Sequence, residues 1–79
     1  MNKEEIDFEI LLYDITSKVI EHIIEFKKLE ENIAIEMFLK SKVYSLLENE
    51  KTKIWQYSPL TIAMLYIDES MNKLNLSEV

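Results

Sequence analysis

Apolar and polar residues alternate along this chain with the period of an α-helix, and no run shows the period of two that marks a strand. The pattern predicts an all-α, compact three-helix domain spanning residues 1–79, with helices near 3–29, 32–48 and 58–74. The middle helix is expected to break near Ser41, because its apolar residues change phase there. Ser58-Pro59 suits the start of the third helix, since serine is a strong N-cap and proline fits the first helical position.

The first helix carries two apolar rows. The row expected to face the core contains Phe8, Leu11, Leu12, Ile15, Val19, Ile23 and Phe26. An outer row on nearly the opposite side contains Ile6, Ile10, Tyr13, Ile20 and Ile24, with Glu9, Thr16 and Lys27 along one seam between the rows. Such a row is either covered by flanking helices of the same chain or forms a homodimer. Both alternatives stay open, and the outer row is the predicted self-association surface.

The third helix also has a predicted core stripe. It consists of Leu60, Ala63, Met64, Ile67, Met71 and Leu74, while Ile62 and Tyr66 fall outside it. Adjacent carboxylates, Glu4-Glu5 and Asp68-Glu69, point about 100° apart on a helix and are interpreted as solvated surface.

The amino-acid composition argues against several classes of function. Cysteine and glycine are absent, which argues against disulfides, thiolate metal sites and phosphate-binding loops. The chain has nine lysines and fifteen acidic residues, which give a net charge of −6. Direct binding to nucleic acid is therefore unlikely, because the phosphate backbone would be repelled. A single histidine and no nucleophile–base constellation predict no metal, no cofactor and no catalysis. No apolar run approaches the roughly 20 residues of a membrane span, so the expected location is cytoplasmic.

The segment before the third helix contains the candidate partner surface. It is formed by Lys51, Lys53, Trp55 and Tyr57, to which Lys42 and Tyr44 are added. Trp55 has two interpretations: a hydrophobic lid over the end of the domain, or an anchor for a protein partner. The lysines Lys40, Lys42, Lys51 and Lys53 either lie in solvent or form a basic patch suited to an acidic partner. Ser41 is expected to cap the restarted helix.

The block Phe38-x-x-Ser41-Lys42-x-Tyr44-x-x-Leu47, followed by Trp55 and Ser58-Pro59, resembles a family of short, functionally uncharacterised bacterial proteins. The resemblance covers residues 33–68. Members tend to be encoded beside toxin-like genes, some with an ADP-ribosyltransferase-like fold, so the resemblance implies an accessory or antitoxin role.

The sequence therefore predicts a small non-catalytic protein–protein interaction module, antitoxin-like or regulatory, that binds a protein partner. The alternative is a phage-type inhibitor, either an anti-defence protein or an acidic mimic of nucleic acid, that blocks a basic groove of a host protein. Its acids would be Asp7, Asp14 and Glu21, which recur one heptad apart on the first helix.

Overall fold

The computed structural model describes the backbone of residues 3–71 and the side chains of residues 7–71. Over this range the chain forms four α-helices and no strand, which confirms the all-α prediction. The helices are α1 (Lys3–Lys27), α2 (Glu31–Leu39), α3 (Lys42–Leu47) and α4 (Pro59–Ser70). The predicted count of three is not confirmed, because the break near Ser41 separates α2 from α3. None of the described helices is long and apolar enough to cross a membrane.

Local signals explain where the helices begin and end. The Ser41 hydroxyl accepts a hydrogen bond from the Tyr44 N–H at 3.0 Å, and the Ser58 hydroxyl accepts one from the Thr61 N–H at 3.1 Å. Both predicted helix starts are thus confirmed. The first helix ends two residues before the predicted position, where Lys28 adopts a left-handed conformation with φ of 57° and turns the chain towards α2.

The helices α1 and α4 run in the same direction and pack directly against each other, while α2 packs on α1 and α3 packs on α4. Near the start of α1, Phe8 packs edge-on against Trp55, with ring centroids 5.9 Å apart. Near its end, the Lys27 amine donates a hydrogen bond to the Ser70 hydroxyl at 2.9 Å. The two ends of α4 therefore lie beside the matching ends of α1.

The core forms where the four helices meet. Phe38 of α2 is fully buried at its centre and packs edge-on against Tyr44 and Tyr66, with ring centroids at 5.5 and 5.6 Å. The buried apolar residues are Ile15, Val19, Ile20, Ile23, Ala34, Phe38, Val43, Leu47, Ile62, Ala63 and Tyr66.

The predicted core stripe of the third helix is correct only in part. Ala63 is buried and Ile67 packs against the core, whereas Leu60, Met64 and Met71 are exposed. Ile62 and Tyr66, placed outside the stripe, are buried, and Leu74 lies outside the described residues. Both sides of α4 are apolar, so periodicity could not choose between them. A long-range contact fixes the choice: the Glu69 carboxylate accepts hydrogen bonds from the backbone of α3. The interpretation of Glu69 as solvated surface is therefore also wrong.

The pattern of burial in the two apolar rows of α1 differs from the prediction. In the core row, Leu11 and Phe26 are exposed, while Ile15, Val19 and Ile23 are buried. The outer row is not one exposed surface, because Ile20 is buried and Ile24 is half-buried. Ile10 and Tyr13 are exposed, and the side chain of Ile6 lies outside the described residues. The reason is that α2 of the same chain packs against α1. The alternative in which a flanking helix covers the outer row is therefore correct for part of that row.

Candidate functional site

An open, mainly apolar groove runs along α1 where it faces α2 and α3. Its volume is about 400 Å³. The lining residues on α1, from Glu9 to Ile20, span about 16 Å of helix, or three turns. The floor and walls are formed by Glu9, Leu12, Tyr13, Thr16, Ser17 and Ile20 of α1, Ile35 and Leu39 of α2, and Tyr44 of α3.

The groove contains a buried polar atom without a hydrogen-bond partner. The Thr16 hydroxyl oxygen is shielded from solvent, and no group among the described residues bonds to it. Leaving a buried hydroxyl unpaired costs about 1–3 kcal/mol.

The two walls expose large apolar side chains. Tyr13 of α1 is 78% exposed and Leu39 of α2 is 44% exposed. Tyr44 is half-buried against Phe38, and this burial, together with the negative charge of Glu48, raises the pKa of its hydroxyl above the ordinary value of 10.0. The phenol therefore stays protonated near neutral pH, where its O–H can donate a hydrogen bond.

The charged side chain that lines the groove is that of Glu9, and Glu48 is close enough to Tyr44 to influence its ionisation. Asp14 and Glu21, on the exposed face of α1, do not line the groove, and Asp14 forms a 3.0 Å ion pair with Lys18. A positively charged group would therefore be favoured near the groove.

The structure separates the six predicted partner-binding residues. Tyr44 lines the groove, whereas the side chain of Lys42 is exposed and its backbone N–H donates to Glu69 at 2.9 Å. Lys51, Lys53 and Tyr57 are exposed on the connection between α3 and α4.

Trp55 lies apart from the groove, on the same connection. It is half-buried, and its indole N–H donates to the backbone carbonyl of Glu50 at 2.8 Å. With Asp7 and Glu50 it borders a second cleft of about 350 Å³. The cleft is thus lined by two acids and by the apolar Phe8 and Leu11 as well as by Trp55.

The connection itself is regular. It consists of two 3-10 turns, Glu50–Thr52 and Ile54–Gln56, joined by Lys53 in a left-handed conformation with φ of 62°. The Thr52 hydroxyl donates to the Leu46 carbonyl at 2.6 Å, which ties the first turn to α3. The backbone of the connection is therefore held in a defined position.

Sequence reasoning did not bring the lining residues of the groove together, because it assigned them to different surfaces. Leu39 and Ile35 were not named as site residues, although their spacing of four residues places both on one side of α2. Thr16 lay in the polar seam between the two rows of α1, which was the one available signal. Within residues 7–71, no group of three or more His, Cys, Asp or Glu residues is placed to hold a metal ion.

No family model matches the chain, and neither a curated protein nor a solved structure is significantly similar to it.

Proposed function

We propose that this protein is a small cytoplasmic, non-catalytic binding module whose groove beside α1 holds an amphipathic helix of a protein partner, in an antitoxin-like or regulatory role. The observation that carries the proposal is the open apolar groove, whose walls expose Tyr13 and Leu39. Apolar side chains exposed along a rigid groove are the common feature of helix-binding proteins.

The dimensions suit a helix. A stripe of lining residues about 16 Å long accommodates three helical turns, whose anchors would recur at positions i, i+4, i+7 and i+11. The exposed Tyr13 and Leu39 stand on opposite walls, so an inserted apolar side chain would contact both α1 and α2.

The charge of the groove specifies the partner further. Because Glu9 and Glu48 lie at or near the groove, the polar edge of the bound helix is expected to carry lysine or arginine. The apolar contacts supply most of the affinity, so binding should weaken only modestly with salt.

The antitoxin-like role draws support from the family resemblance. Residues of the resembling block form one wall of the groove and its support: Phe38 is the core centre, Ser41 caps α3, and Tyr44 lines the groove. A short block of this kind would then be needed to shape the binding surface.

The acidic mimic is the alternative. The exposure of Asp7, Asp14 and Glu21 favours it, although the ion pair between Lys18 and Asp14 reduces the negative charge of the row. A mimic would lose its partner steeply as salt rises, in contrast to the groove. A homodimer through the outer row of α1 has less support, because the burial of Ile20 leaves Ile10 and Tyr13 as its described exposed members.

The test compares two exposed residues of α2. Leu39, 44% exposed, lines the groove, and Ile33, 39% exposed, does not. Tagged wild type is used to capture partners from the source cells, and the captured protein is purified and titrated by calorimetry. Leu39→Glu should weaken the affinity about tenfold or more, since truncated interface anchors commonly cost over 1 kcal/mol.

Ile33→Glu introduces the same charge on the same helix and should keep the affinity within about twofold. Equal losses for both variants, with unchanged circular dichroism, would contradict binding in the groove. A steep loss of wild-type affinity between low and high salt would favour the acidic mimic instead.

A further inference from the structure

The cleft beside Trp55 lies where the connection between α3 and α4 meets the start of α1. Its volume of about 350 Å³ is at the lower end of the range of small-molecule sites. The described residues that line it are Asp7, Phe8 and Leu11 of α1, with Glu50 and Trp55 of the connection. None of them lines the groove beside α1, so the cleft is a separate surface.

Two aromatic rings stand nearly perpendicular to each other at this cleft. The rings of Phe8 and Trp55 cross at 78°, with centroids 5.9 Å apart. The indole N–H is already used, because it donates to the Glu50 carbonyl oxygen at 2.8 Å. Trp55 can therefore offer a ligand its ring but not a hydrogen-bond donor. The face of an aromatic ring is negative and attracts cations, and tryptophan does so most strongly.

The cleft is also lined by two carboxylates from different elements. Asp7 and Glu50 are exposed, and neither forms an ion pair with any side chain of residues 7–71. By contrast, Asp14 and Glu36 each pair with a lysine four residues away. The negative charges at the cleft are thus not compensated within the described part of the chain. A ligand with a positive charge is therefore favoured there.

We infer that this cleft binds an organic cation, namely an ammonium or guanidinium group carried on a short apolar stem. The positive charge lies against the Trp55 ring and near the two carboxylates, and the stem contacts Phe8 and Leu11. A metal ion would gain nothing from the aromatic and aliphatic walls, because its ligands are oxygen, nitrogen or sulfur atoms. An organic cation uses both the walls and the charges. The inference is independent of the proposed function of the groove.

Fluorescence of the full chain tests the inference, because Trp55 is its single tryptophan and reports on this cleft alone. Choline represents a free small cation, and N-acetylarginine amide represents an arginine side chain of another protein. Each is titrated at constant ionic strength beside a neutral isostere, dimethylbutanol for choline and N-acetylcitrulline amide for the arginine probe. The cations should bind with dissociation constants of about 1–10 mM, and the neutral isosteres at least about tenfold more weakly.

Charge-removing variants locate the bound cation. Asp7→Asn and Glu50→Gln should each weaken binding of the cations at least about threefold. The Glu50 group that accepts from the Trp55 indole is the backbone carbonyl, so Glu50→Gln leaves that hydrogen bond in place. Glu48→Gln makes the same change at an exposed position that does not line the cleft, and it should alter binding by less than about 1.5-fold.

The outcomes separate the two sources of the cation. Binding of choline alone would identify a free small molecule as the ligand, and binding of the arginine probe alone would identify a protein side chain. Either result supports the inference. No binding of either cation up to about 50 mM, equal binding of a cation and its neutral isostere, or equal effects of Glu50→Gln and Glu48→Gln would overturn it. The comparison of charged and neutral probes uses wild type only, so it stays valid if a variant folds poorly.

Discussion

Trp55 closes one end of the molecule through two contacts. Its ring packs edge-on against Phe8 of α1, and its indole N–H donates to the Glu50 carbonyl. The side chain therefore links the first helix to the connection that precedes α4. This geometry favours the interpretation of Trp55 as a lid, although part of the ring stays accessible.

Replacing Trp55 should lower stability. Trp55→Ala is expected to reduce the free energy of unfolding by about 2–3 kcal/mol, less than the 3–5 kcal/mol of a fully buried aromatic residue. Trp55→Phe keeps an aromatic ring against Phe8 but loses the N–H donor, at a cost of about 1 kcal/mol. Urea unfolding followed by circular dichroism measures both. An unchanged midpoint for Trp55→Ala, combined with loss of the partner, would instead support the anchor.

At single residues, the sequence was informative where the cause is local. The caps Ser41 and Ser58 act on amides three residues away, so a short pattern was enough to predict them. Leu11, Phe26 and Ile20 were misassigned, because their burial depends on where other helices cross α1.

Among the elements, α3 depends most on the rest of the chain. It has only six residues, and a helix this short is not stable by itself. Its first N–H groups are satisfied by two partners. The Glu69 carboxylate accepts from Lys42 and Val43 at 2.9 and 3.0 Å, and the Ser41 hydroxyl accepts from Tyr44 at 3.0 Å.

Removing the charge of Glu69 should therefore weaken the docking of α3. Glu69→Gln retains one acceptor oxygen and loses the negative charge at the helix start, so unfolding should become easier by about 1–2 kcal/mol. Asp68→Asn makes the same charge change at the neighbouring position and should cost below about 0.5 kcal/mol. Thermal unfolding compares them, and equal shifts would show that net charge, and not the cap, is responsible.

Helical periodicity could not predict which side of α4 faces the core. Its sequence is apolar on two sides, and the Glu69 contact that selects one of them joins residues 26 and 27 positions apart. The groove was hidden for the same reason. It exists because α2 lies along α1 and leaves Thr16 at its base, an arrangement that no short segment encodes.

At the scale of the whole molecule, the described residues present an open apolar groove beside α1. Three helices line it, and Glu9 and Glu48 lie at or near it, which suits a basic amphipathic helix.

Site-specific photo-crosslinking in the source cells tests the groove most directly. A benzophenone amino acid is placed at Tyr13, on the groove wall and 78% exposed, or at Tyr57, on the connection and 53% exposed. Both replacements exchange one aromatic ring for another. The account predicts a covalent adduct with a different protein from position 13 and none from position 57. An adduct from position 57 alone, or a position 13 adduct with twice the mass of this chain, would contradict it.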